Sequence, residues 1–180
     1  MKLSRSGIIK IVLTSAMIAL NIVLERFLTF HIESNHYSIS VITIVFAALY
    51  LGTPYAVSVA ALGDIIGALL FPVGPYFPGF TLTNILTALC ICIFLRKRVT
   101  VLRCGVTILL NKLFGTLILN SIWVAVLYKG GIDAFPAYMV TRIPQAIIMF
   151  LTETVIVLLL FSEKSKIRVM LNKSLANILR

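Results

Sequence analysis

The sequence predicts an all-α integral membrane protein, a compact bundle of six transmembrane helices with both termini in the cytoplasm. Two features of its composition predict this fold class: 60% of the 180 residues are apolar, and only 12% are charged. The mean hydropathy is +1.07. A water-soluble domain of this length does not carry so much apolar material, so a soluble enzyme is excluded.

Six apolar stretches account for the length of the chain. At about 20 residues a crossing, six crossings need roughly 120 residues, which leaves no room for a second, aqueous domain. We therefore treat 1–180 as a single transmembrane domain. The second and third stretches are short enough to be tilted, bent or shielded from lipid by their neighbours. The predicted stretches are 7–24, 37–52, 54–71, 79–96, 104–128 and 135–162.

The basic residues predict the orientation of the bundle. Of sixteen Lys and Arg residues, only Arg26 and Lys129 fall on the proposed outer side, while Lys112 and Arg142 fall within stretches. Cytoplasmic loops of membrane proteins carry an excess of Lys and Arg, and such residues also contact anionic lipid. The remaining twelve lie on the proposed cytoplasmic side: Lys2, Arg5, Lys10, Arg96, Lys97, Arg98, Arg103, Lys164, Lys166, Arg168, Lys173 and Arg180.

Catalytic, metal and nucleic-acid motifs are missing from the sequence. It contains no phosphate-binding loop and no His-Glu-x-x-His motif, and His31 and His36 fall in one outer loop with few acids to orient them. The three cysteines suggest neither a disulfide framework nor a metal site. The net charge of +10 does not indicate a nucleic-acid partner, because no basic face alternates with stacking aromatics. We expect a protein that is not an enzyme and holds no metal or cofactor.

Four ionisable residues fall within the predicted helices, where each needs a partner or a ligand. Lys112 and Glu153 come out at similar depth, about 12–15 Å from the cytoplasmic helix ends, where they could pair. We interpret such a pair as structural rather than ligand-binding, because both residues lie nearer the cytoplasmic side than a site loaded from outside requires. Asp64 comes out near mid-depth, within reach of Arg142. That second pair is either a structural ion pair or a ligand-facing one.

The outer half of the bundle holds the candidate ligand site. Arg26 ends the first helix, and an aromatic loop follows at 72–81. Asn120 and Trp123 are three residues apart and share a helix face, although Trp123 also suits an interfacial anchor. Pro144 frees a backbone carbonyl near Arg142. Guanidinium groups bind carboxylates through paired hydrogen bonds, so the pattern predicts an outward-facing cavity for a flat, anionic small molecule.

Small residues at helical spacing predict close helix contacts. In the third stretch Ala56, Ala60, Gly63 and Gly67 form such a stripe. The first helix has a lesser version at Ser15 and Ala19, with Ala16 adjacent. Each stripe indicates either packing inside the bundle or a docking face for another membrane protein.

Segments spread along the chain closely resemble the folate-specific S components of energy-coupling-factor (ECF) vitamin transporters, and the resemblance covers essentially the whole chain. The segments are Ala16–Leu20 with Val23–Leu28, Asp64–Gly67, Leu70–Pro72 with Tyr76–Thr83, Asn120–Trp123, and Thr141–Gln145. Within them, Phe77-Pro78-Gly79-Phe80-Thr81 is fairly specific to that family. Asn84 differs from the small residue expected just after this motif, and Glu25 places an acid beside Arg26.

The resemblance implies a six-helix protein of the prokaryotic cytoplasmic membrane that captures a vitamin with high affinity. It further implies association with a transmembrane coupling protein, which Ser15, Ala16 and Ala19 would contact, and with two cytoplasmic ATPases. Arg26 would bind the glutamate carboxylates of folate, and the 77–81 loop with Asn120 and Trp123 would line the pterin and aminobenzoyl region. The implied ligand-binding residues are Arg26, Tyr76, Phe77, Phe80, Thr81, Asn84, Asn120, Trp123, Arg142 and Gln145.

Three other functions stay open on sequence grounds. The first is an S component for another vitamin, such as pantothenate. The second is an integral-membrane enzyme acting on lipid, which is disfavoured because no nucleophile, base and orienting group converge in the sequence. The third is a structural scaffold, which does not explain Asp64 and Arg142 at membrane depth.

Overall fold

The computed structural model describes residues 5–32, 35–72, 74–127, 135–163 and 165–179. Of the basic residues used for the orientation, Lys2, Lys129, Lys164 and Arg180 lie outside these ranges. Nine α-helices, two short strands and two π-helical segments are found in the described residues. The elements are α1 (Arg5–Arg26), β1 (Phe30–Ile32), β2 (Asn35–Tyr37), α2 (Val41–Phe46) with a π-helical turn (Ala47–Leu51), α3 (Thr53–Leu70), α4 (Pro78–Leu95), α5 (Val101–Leu110) with a π-helical segment (Asn111–Leu119), α6 (Asn120–Leu127), α7 (Phe135–Thr141), α8 (Ile143–Phe161) and α9 (Lys166–Leu179).

Five helices in the described part of the chain are long and apolar enough to cross a membrane. They confirm the first, third, fourth and fifth predicted stretches to within a few residues, and they include most of the sixth. The fifth is one continuous apolar helix, Val101–Leu127. It runs from α5 through the π-helical segment into α6.

The second predicted stretch forms a shorter helix than expected. Val41–Leu51 has 11 residues, of which the last five are π-helical. The helix stops because Gly52 has a φ of +112°, a conformation that residues other than glycine rarely adopt. Pro54 then occupies the first turn of α3, where its missing N–H costs no hydrogen bond.

The sixth predicted stretch, 135–162, is two helices and not one. Arg142 separates α7 from α8, and its backbone carbonyl caps α8 by accepting from the N–H of Ala146 at 2.9 Å. Pro144, in the first turn of α8, has no N–H to bond the preceding turn. The break therefore arises at the irregularity that the sequence predicts around Pro144.

Three elements were not predicted. β1 and β2 form a short antiparallel ribbon with Phe30 opposite Tyr37, and three-residue strands are too short for hydrophobic alternation to reveal. The other described elements are helical, so the predicted all-α class describes the fold apart from this ribbon. The basic C-terminal tail, treated as a tail in the sequence, forms α9.

Helices α1 and α3 pack against each other along the stripe of small residues on α3. Ala56, Ala60, Gly63 and Gly67 are all buried. A Cβ at Gly63 would lie 2.5 Å from Oδ1 of Asn21. Asn21 in turn donates to Thr43 Oγ1 at 2.8 Å and ties α1 to α2. On α3 the small residues therefore serve packing inside the bundle, whereas Ser15, Ala16 and Ala19 are exposed on α1.

Candidate functional site

A cavity of about 590 Å³ lies inside the bundle, which is within the range of about 300–1,000 Å³ typical of small-molecule sites. It is bordered by α1, α2, α3, α4, the Val101–Leu127 helix, α7 and α8. Many of its lining residues are polar, although the helices that carry them are largely apolar. These polar residues include Glu25, Arg26, Ser38, Ser40, Asp64, Tyr76, Thr83, Asn84, Thr87, Asn111, Lys112, Thr116, Asn120, Tyr138, Arg142, Gln145 and Glu153.

Arg26 lies at the end of the cavity where α1 and α3 finish and α4 begins, which we call the site end. Its Nη2 is 3.9 Å from Oδ1 of Asp64 on α3, and the two side chains are 12% and 7% exposed. Gly67 permits this approach, because a Cβ there would lie 3.1 Å from Nε of Arg26. Nε of Arg26 is buried without a hydrogen-bond partner among the described residues.

A hydrogen-bond chain fixes the carboxylate that holds Arg26. Thr81 donates its hydroxyl proton to Oδ2 of Asp64. Because a hydroxyl has one proton to give, the 3.0 Å contact between Tyr76 and Thr81 has the Tyr76 phenol as its donor. The first turn of α4 and the segment before it thereby orient Asp64.

Aromatic rings form the wall beside this network. Phe77 packs at a centroid distance of 5.6 Å from Trp123 and 6.1 Å from Phe80. Nε1 of Trp123 donates to Thr83 Oγ1 at 3.0 Å. Gly79 lies beneath the rings, where a Cβ would come within 2.4 Å of Phe77 and 2.6 Å of Trp123. The aromatic wall therefore requires glycine at position 79.

The side of the cavity formed by α6, α7 and α8 carries amides and a second guanidinium. Asn120, Tyr138, Arg142 and Gln145 line it. Among the described residues, Oδ1 of Asn120 and Nε of Arg142 are buried without a hydrogen-bond partner. Buried polar atoms without partners are costly, so a ligand that supplied those partners would be favoured.

The predicted pairing of Arg142 with Asp64 is not found, because Asp64 is engaged by Arg26 and Thr81. Arg26 lies beside the carboxylate of Asp64 because α1 and α3 pack closely at Gly67. Within the described residues, no acidic side chain lies within ion-pair distance of Arg142.

The far end of the cavity holds the other predicted ion pair, which the structure confirms. Nζ of Lys112 donates to Oε1 of Glu153 at 2.7 Å. Lys112 lies on the π-helical segment and Glu153 on α8, and both line the cavity. We call this end the floor.

The ligand-binding residues implied by the sequence fall in two layers. Most line the cavity: Arg26, Tyr76, Phe77, Phe80, Asn84, Asn120, Arg142 and Gln145. Thr81 and Trp123 lie behind that surface, where Thr81 holds Asp64 and Trp123 holds Thr83 and packs on Phe77. They support the wall and do not form its surface.

Several lining residues were not predicted. Tyr138 lies one helical turn before Arg142, and Thr87 one turn after Asn84, so helical spacing was the signal that could have found them. Asn111 and Thr116 lie on the π-helical segment, whose wider turn places side chains out of ordinary α-helical phase. No sequence signal marks that segment.

Comparisons with known proteins show which family the chain belongs to. The chain matches the family described as "ECF transporter, substrate-specific component" over residues 9–161. A protein named Folate transporter FolT from Clostridium novyi (strain NT) is 30% identical over 142 residues, which are 78% of this chain and 81% of the relative. Another Folate transporter FolT, from Leuconostoc mesenteroides subsp. mesenteroides, is 32% identical over 143 residues, 77% of each chain.

A solved structure has the same fold. The crystal structure of FolT bound with folic acid aligns with a TM-score of 0.74 at 28% sequence identity, covering 81% of this chain and 88% of that one. The chain belongs to the family of substrate-specific (S) components of ECF transporters.

Proposed function

We propose that this protein is the folate-binding S component of an ATP-driven vitamin importer. Two relatives of 30% and 32% identity are named as folate transporters, and a related crystal structure is of FolT bound with folic acid. None of these favours pantothenate. The cavity chemistry supports the same ligand class, because it combines guanidinium groups, amides and aromatic rings in one space.

Arg26 at the site end, whose side chain is 12% exposed, carries the proposal. Its guanidinium lines the cavity, and its Nε lacks a hydrogen-bond partner among the described residues. A carboxylate is the ligand group that matches such a guanidinium best. We assign the glutamate carboxylates of folate to Arg26, with Arg142 as a second cationic contact.

The remaining contacts follow from the chemistry of each wall. Tyr76, Phe77 and Phe80 provide flat apolar surface for the aminobenzoyl and pterin rings. Asn84, Asn120 and Gln145 offer amide groups to heteroatoms. Thr81 and Trp123 act by positioning Asp64, Thr83 and Phe77.

We place the protein in a prokaryotic cytoplasmic membrane with six crossings and both termini inside. Val41–Leu51 supplies the crossing that is shorter than the rest, and neighbouring helices shield it, since Ile44, Val45, Ala47 and Ala48 are buried. The basic residues at the end opposite the site favour the cytoplasm for that end. The site then opens to the outside.

Uptake requires a transmembrane coupling protein and two cytoplasmic ATPases, since the chain has no phosphate-binding loop. We assign the exposed face of α1 that includes Ser15, Ala16 and Ala19 to the coupling protein. Small residues let helix backbones approach closely in a membrane, and this face is covered by no other described element.

Two measurements test the proposal. Calorimetry on purified, ligand-stripped protein should detect tight binding of folic acid and none of pantothenate. Mass spectrometry of ligand released from freshly purified protein should identify a folate, chemically unchanged. A well-folded sample that binds no folate, or that releases a different vitamin, would contradict the assignment.

A further inference from the structure

The floor of the cavity contains a buried ion pair that has no part in the folate contacts assigned above. The side chains of Lys112 and Glu153 are 15% and 6% exposed, and both contribute to the cavity lining. A buried ion pair is a weak source of stability, because the cost of desolvating two charges offsets their attraction. Its position at the floor suggests a second role.

We propose that Lys112 and Glu153 bind the pyrimidine edge of the ligand's heterocycle, so that this edge lies at the floor, the remaining ring surface extends along the aromatic wall and the carboxylates lie at Arg26. The inference rests on the proposed folate function and adds the orientation of the bound ligand in the cavity. It makes Glu153 and Lys112 specificity-determining residues.

The ion pair has unused hydrogen-bonding capacity. Oε1 of Glu153 accepts from Lys112, whereas no described residue donates to Oε2. The Lys112 ammonium has three protons, and the contact with Glu153 uses one. The pair therefore presents a free acceptor and free donors side by side.

The pyrimidine edge of a pterin complements this arrangement. It carries an exocyclic amino group and a ring N–H next to each other, followed by a carbonyl oxygen. A carboxylate accepts two parallel N–H bonds from such an edge, as it does from a guanidinium. The ammonium then donates to the carbonyl oxygen. A ligand carboxylate at the same place would meet the negative charge of Glu153.

The distance between the two ends of the cavity suits an elongated ligand. Arg142 precedes α8, and Glu153 follows it by eleven residues, which correspond to about 16 Å along the helix axis. One ligand touching both ends therefore needs a ring system and an acidic group separated by a spacer. Folate has this form, with the aminobenzoyl group as the spacer.

The test compares ligands that differ at one end only, on wild type and on a variant with an altered floor. The ligands are folic acid, its 2-desamino analogue, and pteroic acid, which keeps the ring and lacks glutamate. The main variant is the double replacement Lys112→Met with Glu153→Met. It leaves no unpaired charge, and such apolar replacement of a buried pair is often neutral for stability. Glu153→Gln serves as a second variant that keeps one acceptor.

Wild type should bind the 2-desamino analogue about 10–100-fold more weakly than folic acid, since hydrogen bonds to a charged group are lost. The double variant should bind these two ligands within about threefold of each other, and Glu153→Gln should fall between. Pteroic acid should bind more weakly than folic acid by the same factor in wild type and in both variants.

Two outcomes would overturn the inference while leaving the proposed function intact. In one, the double variant keeps the wild-type discrimination against the 2-desamino analogue. In the other, the floor variants instead change the ratio of the affinities for folic acid and pteroic acid. That result would mean that the glutamate lies at the floor and the ring system at Arg26. Wild type that fails to bind folic acid would overturn both the inference and the proposed function.

Discussion

The guanidinium of Arg26 lies 3.9 Å from the carboxylate of Asp64 across the contact between α1 and α3. Arg26 ends α1, Asp64 lies on α3, and Gly67 leaves room for the arginine between them. Thr81 and Tyr76 hold the carboxylate from the other side. The arginine is thereby kept at the cavity before any ligand arrives, which lowers the entropy that binding must spend on ordering it.

Arg26→Ala should weaken folic acid binding by about 2 kcal/mol, or about 30-fold, because the ligand loses hydrogen bonds to a charged group. Pteroic acid should lose less than about threefold, since it lacks the glutamate carboxylates. Calorimetry with both ligands on wild type and variant measures the difference. Equal losses for the two ligands would refute the assignment of Arg26 to the glutamate.

Asn120→Leu should weaken folic acid binding at least about tenfold, since an amide facing the cavity is lost. It should leave thermal stability unchanged or raised, because the buried Oδ1 of Asn120 has no partner among the described residues and an apolar replacement removes that cost. Melting curves and calorimetry on the same samples give both quantities.

Ser121→Ala is the matched control for Asn120→Leu. Its hydroxyl oxygen is also buried without a described partner, but Ser121 faces away from the cavity lining. We expect unchanged or raised stability and unchanged folic acid affinity. A loss of stability on replacing Asn120, or a loss of affinity on replacing Ser121, would count against this view of the α6 wall.

Gly79→Ala should destabilise the protein by about 1–3 kcal/mol and weaken folic acid binding, because the added Cβ would overlap Phe77 and Trp123. The fluorescence of Trp123, the single tryptophan, should change with it. Gly105→Ala is the control, since a Cβ at that helical position meets nothing within 4 Å and alanine favours the helix. Similar effects from the two substitutions would exclude a steric role for Gly79.

Ser15→Leu combined with Ala19→Leu should abolish recovery of the coupling protein and ATPases with the tagged S component, since bulky side chains keep helices apart. Folic acid affinity should not change, because neither residue lines the cavity. Thr152→Leu is the control: like Ser15, Thr152 is an exposed helical hydroxyl that donates to the carbonyl four residues before it, but it lies on α8. Assembly that survives the double substitution would exclude this docking face.

The sequence alone indicates which segments span the membrane and which residues belong together chemically. Apolar stretches of membrane length are a local property, so α1, α3, α4 and the Val101–Leu127 helix are predictable to within a few residues, and α8 is predictable except for where it begins. The pairing of Lys112 with Glu153 is also predictable, because two opposite charges at equal depth in an apolar bundle have few other partners.

Other features required the tertiary structure, because they depend on distances between helices. The membrane depth expected from the sequence is compatible with a pair between Asp64 and Arg142. In the structure, Asp64 pairs with Arg26 instead, because α1 and α3 pack closely at Gly63 and Gly67. Contacts with Asp64 and Phe77 set Thr81 and Trp123 behind the cavity surface, and the π-helical segment carries Asn111 and Thr116, which line it. Local pattern determines which helices form, whereas side-chain volume at their contacts determines which faces meet.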